Sequence, residues 1–380
     1  MRFGWTDEQK QLRDMLQRFA TERHDFDRRR ERLASNDGAA IWAELAELGL
    51  MALPLPEEAG GIAGSMLDLV IVAEALGRGL LVEPYAPTIV LGAGILTRAN
   101  LGDRREAMIE AVAAGERKLA FAYGEPRMRY APERCTLATS RDGADWILNG
   151  KKAMVLGGDQ ADILIVLARE AGEPGDEDGL ALFLVDADAI GLSTRRFNCI
   201  DGTGAAELLL ENVRVASTDR IDDGSNALRL TRSVLNDAAV FACAEMCGAA
   251  ASLNEKTLAY LQQRKAFGQE IVMFQSVQHR LVDMKVSEEQ CVAITLKAAQ
   301  ALAEGHSGAA QSVAAAKHLV SEEAREIAKH AVQLHGAIGV TDELDISHYF
   351  RRIAVLAGAY GDVDHHLDRF TAMMTSKVAA

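Results

Sequence analysis

Arg264-Lys265-Ala266-Phe267-Gly268-Gln269-Glu270-Ile271-Val272-Met273-Phe274-Gln275 is the stretch on which the reading of this chain turns. Leu258 and Leu261 carry an apolar helical stripe up to Arg264, and Gly268 then breaks it. A second stripe resumes with Phe274, Val277 and Leu281, at helical spacing. The pattern predicts a helix, a turn and a helix. At the break stand a guanidinium (Arg264), an aromatic face (Phe267) and an amide (Gln275). An Arg fork binds phosphate oxygens bidentately and a ring packs on a planar base, so the set suits a phosphate-bearing aromatic cofactor. A plain helical hairpin with a solvated Arg fits the same residues, and on these alone both readings stand.

The chain around this stretch has 380 residues, enough for two or three domains and a sizeable core. Its 49% apolar and 25% charged composition is that of a globular protein. A net charge of -14 argues against nucleic acid and anionic membrane surfaces as partners. A polyanionic ligand would need basic residues placed locally. The first residues contain no apolar h-region of a secretory signal, and no run approaches the ~18–20 apolar residues of a membrane span. Cys135, Cys199, Cys243, Cys247 and Cys291 are odd in number and scattered. They argue against a disulfide framework and for a reducing compartment, so a cytoplasmic location is expected. Cys243 and Cys247, four apart on a predicted helix without a second ligand pair, read as small buried apolar side chains.

Thr6 and Gln9 form a capping box ahead of a stripe of Leu12, Met15, Leu16 and Phe19. A further helix is predicted around Ile41, Trp42, Leu45, Leu48 and Leu50, and another over 67–81. Leu53 to Gly61, dense in Pro and Gly, reads as a loop. From about 118 the pattern changes to short β-like runs at 118–123, 146–148, 163–167, 180–185 and 208–210. Asn149-Gly150 reads as a hairpin turn between two of them, and 170–179 as an acidic surface turn. The section predicts a small β-domain of sandwich or barrel type. Helices return from about 225 and run almost to the end, broken near Gly268, Gly305 and Gly336, as in a bundle. Adjacent His365 and His366 point about 100° apart on a helix and read as surface or interface residues rather than metal ligands. His279 reads as structural, and Gly202-x-Gly204 is too weak to mark a dinucleotide loop.

Arg264-x-x-Phe267-Gly268-x-x-Ile271-x-x-Phe274-Gln275-x-x-x-His279-x-Leu281-x-Asp283-Met284 resembles the signature of the acyl-CoA dehydrogenase family. Gln333-Leu334-His335-Gly336-Ala337-Ile338-Gly339-Val340-Thr341 resembles a second block of that family, in the right order. The resemblance implies an α+β multidomain acyl-CoA dehydrogenase fold. It comprises an N-terminal α-helical domain (1–118), a middle β-domain (119–222) and a C-terminal four-helix bundle (223–380). It implies FAD as cofactor, an acyl-CoA substrate and an electron-transfer flavoprotein as partner. In the family the two blocks clasp the ADP half of an FAD bound mainly by a neighbouring subunit. Matched residue by residue, the clasp falls on Arg264, Phe267, Phe274, Gln275, Gln333, Gly336 and Ala337.

The family's reaction also needs a carboxylate to remove the α-proton of the thioester. Counting from Arg351, the usual Glu position holds Tyr360; counting back from Arg264, the alternative position holds Ala238. Asp237 and Asp362 lie next to these positions and are the nearest candidate bases. The ring-binding landmarks depart too. Gly124 and Leu156 stand where the family has two Thr hydroxyls, Tyr130 where it has Ser, and Met154 where it has Trp. This chain keeps what it would give a neighbour's FAD and lacks what its own would need. The pattern resembles the small or β subunit of heteromeric (pimeloyl-CoA or steroid-CoA type) dehydrogenases. It implies a second acyl-CoA dehydrogenase-family subunit and a heterotetramer. A homo-oligomeric enzyme with an unconventional base, and a flavin-free interaction protein of the same fold, remain alternatives.

Overall fold

The computed structural model describes residues 4–23, 26–35, 38–99, 103–221 and 227–378. Helices come first: α1 (Asp7–Arg23), α2 (Phe26–Ser35), α3 (Ala39–Glu47) and α4 (Met66–Arg78). A π-helical segment, Ala86–Ala93, runs into α5 (Gly94–Arg98), and α6 (Asp103–Ala113) follows. Seven strands come next: β1 (Leu119–Ala122), β2 (Ala138–Asp142), β3 (Asp145–Leu156), β4 (Ile163–Arg169), β5 (Leu180–Asp186), β6 (Leu192–Asn198) and β7 (Gly204–Val215). Then come α7 (Ala227–Gln263), the two-residue strands β8 (Lys265–Ala266) and β9 (Gln269–Glu270), α8 (Gln275–Ala303), α9 (Ala309–His335), α10 (Ile346–Gly358) and α11 (Val363–Val378). This is the helical, β and helical order of the acyl-CoA dehydrogenase fold.

The chain forms two compact units. One gathers Met1–Asp37, Ser65–Leu81 and Ala239–Ala380; the other gathers Gly38–Gly64 and Val82–Ala238. The helices before the sheet are thus divided between the units, with α1, α2 and α4 in the first.

In the first unit, local caps start the helices as the sequence predicts. Gln9 N–H donates to Thr6 Oγ1 at 3.2 Å and Thr6 N–H to Gln9 Oε1 at 3.1 Å. Ser65 and Asp68 form a second capping box before α4. The tightest approach in the unit is between α4 and α7. A Cβ on Gly77 would lie 2.0 Å from the Glu245 carbonyl oxygen, and one on Gly248 would lie 2.0 Å from that of Glu74. The two backbones therefore meet through a pair of glycines. At the same level the buried Glu245 carboxylate accepts from Arg352 Nε of α10 at 2.7 Å. Helix α9 packs against α8, α10 and α11, burying Val313, Ala314, Lys317, Val320, Ala324 and Ile327.

In the second unit β4 and β5 are buried almost throughout and run antiparallel. The other edge of β4 is shared by β1 and the start of β2, both parallel to it, and β3, β7 and β6 complete one curled sheet. The expected hairpin at Asn149-Gly150 is not there. Both residues lie inside β3, where the register against β7 slips by a bulge and Gly150 takes φ 149°. The turn stands instead at Gly143 (φ 65°), between β2 and β3. Asn149 uses its side-chain oxygen to accept from Asn212 N–H at 2.8 Å, across the sheet. β2 and β6 escaped the sequence reading because both are largely exposed and carry little apolar alternation. Helix α2, mostly charged, escaped for the same reason.

α7 also corrects an expectation. It is long and apolar enough to cross a membrane by length and composition, yet 89% of its most apolar window is buried within the protein. Cys243 and Cys247 on it are buried, as expected of small apolar residues.

Replacing Gly248 with Ala puts a methyl into the Glu74 carbonyl, and overpacking of this kind costs about 1–3 kcal/mol. That outweighs the ~1 kcal/mol gained in helix propensity. Thermal denaturation of Gly248→Ala should show net destabilisation, whereas Gly358→Ala, with open space around its Cβ, should not.

Candidate cofactor-binding site and base positions

The stretch that opened the sequence analysis folds as a small hairpin between two long helices. Arg264 follows the last residue of α7, its N–H bonded to the Tyr260 carbonyl at 2.9 Å and its carbonyl accepting from Ile271 N–H at 2.9 Å. β8 and β9 pair, leaving Phe267 and Gly268 at the tip with φ 53° and 85°. A left-handed backbone costs a bulky residue roughly 1 kcal/mol or more. No burial within the chain offsets this, since Phe267 is 96% exposed. Its ring meets Phe274 edge-on, centroids 6.2 Å apart. α8 begins at Gln275 without any side-chain cap. Val277 and Gln278 N–H donate to the Phe274 carbonyl, which leaves those of Gln275 and Ser276 to face an anion at the positive end of this 29-residue helix.

The second block ends α9. Gly336 takes φ 68° and ψ -144°, a conformation only glycine holds readily, and turns the chain out of the helix. Gln333, Gly336 and Ala337 are exposed. His335 is buried, its Nδ1–H donating to the Ala331 carbonyl at 2.8 Å. Burial holds its pKa below the usual value, so the ring is neutral near pH 7. The ring stacks on Tyr260, centroids 4.4 Å apart and planes 23° apart. Both predicted blocks therefore stand side by side, with their donors turned outward. An Arg fork, an uncapped helix N-terminus, two amides and a glycine turn fit the diphosphate and adenosine half of FAD.

The ring positions lie in the other unit. Gly124 accepts from Ala153 N–H at 2.9 Å, and a Cβ on it would lie 3.0 Å from the Ala153 carbonyl oxygen. A Thr there would be tight as well as absent, since the Ala153 carbonyl would have to give by a few tenths of an ångström. Leu156 is half-buried in β3 and offers no donor, while Met154 is 58% exposed with φ 52°. These residues do not supply the polar partners that an isoalloxazine edge takes from two Thr hydroxyls. Beside them is a buried ion pair. Glu125 accepts from Lys152 Nζ at 2.7 Å, Thr136 Oγ1 at 2.6 Å, and the N–H groups of Thr136 and Leu137. Burial alone would raise the Glu125 pKa, but the Lys152 charge and these hydrogen bonds outweigh it and hold it at about 2.

The two positions that the resemblance implies for the base hold Ala238 and Tyr360. Ala238 is fully buried in α7. Tyr360, buried with φ 58°, sits in the turn between α10 and α11. Asp237 is bound by Arg98 Nη2 at 2.6 Å; burial raises its pKa and the Arg98 charge opposes the rise. Asp362 caps α11, accepting from His365 N–H at 2.9 Å. The turn that holds Tyr360 is pinned by two residues to which the sequence reading gave no such part. Lys317 Nζ reaches the carbonyls of Leu356, Ala357 and Gly361, each at 3.0 Å. Burial lowers its pKa to about 8, so it remains protonated at neutrality. His366, expected at a surface or interface, is instead buried and donates from Nε2 to the Tyr360 carbonyl at 3.0 Å. Lys317 carried a signal: it interrupts the apolar stripe Val313, Val320, Ala324 at core spacing. His279 is exposed, and Gly202 lies in the turn between β6 and β7.

Comparison with known proteins bears on the family and the fold. Family profiles for the N-terminal, middle and C-terminal domains of acyl-CoA dehydrogenase match residues 6–116, 120–213 and 228–373. The chain belongs to the acyl-CoA dehydrogenase family. The probable acyl-CoA dehydrogenase YngJ of Bacillus subtilis is 27% identical over 92% of this chain and 93% of its own. A chain of the Tcur3481-Tcur3483 steroid ACAD is 27% identical with a TM-score of 0.88, covering 98% of this chain and 99% of that one. The FAD complex of PigA shares the fold at a TM-score of 0.91 and 23% identity, covering 99% of both chains. FAD is accordingly the cofactor of this acyl-CoA dehydrogenase. On this chain, Arg264, Gln275, Gln333 and the turn at Gly336 are the residues suited to its ADP half.

Two measurements follow. A charged hydrogen bond is worth roughly 1.5–3 kcal/mol, so Arg264→Ala should weaken FAD binding about tenfold to hundredfold. Arg264→Lys should recover only part of this, because a point charge does not replace the fork. The Glu125 pKa lies below its unfolded value of 4.5, so its stabilisation is complete above that pH and is lost as pH falls towards about 2. Urea denaturation should therefore show the gap between wild type and Glu125→Gln narrowing over that window.

Proposed function

We propose that this chain is the partner subunit of a heteromeric FAD-dependent acyl-CoA dehydrogenase, of the small or β type. In this reading it supplies the ADP clasp in trans, and a second family subunit supplies the base and the isoalloxazine pocket. The observation that carries the proposal is the absence of a free carboxylate at either base position. Tyr360 and Ala238 stand there, Asp237 is held by Arg98, and Asp362 is spent as a helix cap. The exposed clasp supports it, as do Val282 and Val286, one turn apart on α8 and both at least half exposed. When bound, FAD takes the hydride from the acyl β-carbon; this chain's part is to hold the diphosphate and adenosine and to complete the assembly. A heterotetramer in the cytoplasm, acting on an acyl-CoA thioester and passing electrons to an electron-transfer flavoprotein, completes the proposal.

A homo-oligomeric enzyme has one observation in its favour. Burial raises the Asp237 pKa, the direction that suits a general base. Co-expression with a neighbouring family member, followed by FAD counting and turnover assays, separates the two. The partner reading expects no acyl-CoA oxidation by the chain alone, and about one FAD for every two chains in the complex, since one ring pocket is complete. One FAD per chain, or turnover by the pure chain that Asp237→Asn abolishes, would sink it.

A further inference from the structure

The two halves of the ADP clasp come from segments about seventy residues apart in the chain. Each is exposed, and neither has a side chain that ties it directly to the other through a hydrogen bond among the described residues. An aromatic stack joins them. Tyr260 stands one helical turn before Arg264 on α7, and its carbonyl accepts the Arg264 N–H at 2.9 Å. Its ring lies face to face with His335, 4.4 Å between centroids, and His335 is the last residue of α9 before the Gly336 turn. The Tyr260 hydroxyl also donates to the His335 carbonyl at 3.5 Å, a long contact that adds direction more than strength. His335 is in turn fixed on its own helix by the Nδ1–H bond to Ala331.

We propose that Tyr260 and His335 are the positioning pair of the clasp, setting the separation between the Arg264 hairpin and the Gln333–Gly336 turn so that one adenosine diphosphate is gripped from both sides. The inference rests on the reading that this clasp holds the ADP half of FAD. The physical ground is the rigidity of the parts. Both rings sit on long helices, at their last turns, where the backbone leads directly into the donors. A stacked pair with a 23° tilt allows little sliding along the helix axes. Without it the hairpin and the turn would still present the same donors, but independently. The cost of bringing them together would then fall on each binding event. Neither residue touches the cofactor in this arrangement; each acts through the donor that follows it.

The test uses the full-length chain in the assembly in which it purifies, with FAD and, separately, ADP as probes in titration calorimetry. Tyr260→Leu removes the stacking face and the hydroxyl. FAD and ADP affinity should both fall roughly threefold to tenfold, the range for loss of an aromatic pair. Tyr260→Phe, which keeps the face, should stay within about twofold. The decisive readout is coupling: in an Arg264→Ala background, Tyr260→Leu should cost little further affinity, because the group it positions is gone. A purely structural residue would lower affinity by the same factor in both backgrounds, and that additive result overturns the proposal. So does wild-type affinity in Tyr260→Leu. If that variant does not fold, His335→Phe decides, since it keeps a ring against Tyr260; near-wild-type ADP binding supports the pair and a large loss overturns it. Should Arg264→Ala alone leave FAD binding intact, the clasp itself is wrong. Should Arg264→Ala weaken binding while Tyr260→Leu does not, only the positioning pair falls.

Discussion

Two helices of the first unit approach until backbone meets backbone, and that crossing constrains what surrounds it. At Gly77 and Gly248 no side chain separates α4 from α7, and each glycine faces a carbonyl of the other helix. Interhelical distance is normally set by side chains at the contact; here it is set by the absence of two. The close approach fixes where Glu245 stands, and so where Arg352 of α10 must reach to neutralise it. α10 is tied to α4 as well, through the Tyr349 hydroxyl on the Arg78 carbonyl at 2.6 Å. Gly248 sits in the interior of α7, where glycine costs propensity, and Gly77 in the last turn of α4. Close packing and the buried ion pair lie on the other side of the balance.

The same unit handles buried charge in two ways. Glu245 and Arg352 neutralise each other as an ion pair. Lys317 instead places its charge on carbonyls: its buried ammonium donates to those of Leu356 and Ala357 in the last turn of α10 and to that of Gly361 in the turn that follows. Its reward is a fixed turn at Tyr360 and Gly361, where both residues have positive φ. The turn is thus preserved with care in a chain whose residue there is Tyr rather than a carboxylic acid. The clasp shows the reverse arrangement. Phe267 keeps a strained, exposed conformation whose ring meets only the edge-on Phe274 among the ring contacts of the described residues.

Much of the architecture was legible because it is written at short range. The capping box at Thr6, the break at Gly268 and the apolar runs of β4 and β5 each depend on a few consecutive residues. The structure reproduces all three. The positions of the proposed clasp at helix ends were legible for a related reason: helix ends carry sequence signals. Asn149-Gly150 misled because the same dipeptide serves a turn or a bulge. Only the pairing of β3 with β7 decides between them. β2 and β6 stayed hidden because an exposed strand is defined by its neighbours rather than by its own pattern.

By itself the sequence determined which residue types suit a phosphate, where several helices and buried strands lie, and that Ala238 and Tyr360 stand at the two positions the resemblance implies for the base. Those are properties of residue type and of spacing along the chain. Tertiary structure alone decided which charges meet. Nothing in the order of residues announces that Arg98 takes Asp237, that Lys317 closes the end of α10, or that Tyr260 stacks on His335 across seventy-five positions. Such pairings depend on distances between segments far apart in sequence, and those distances are set by how closely helices pack. In the first unit, two glycines set the closest of them.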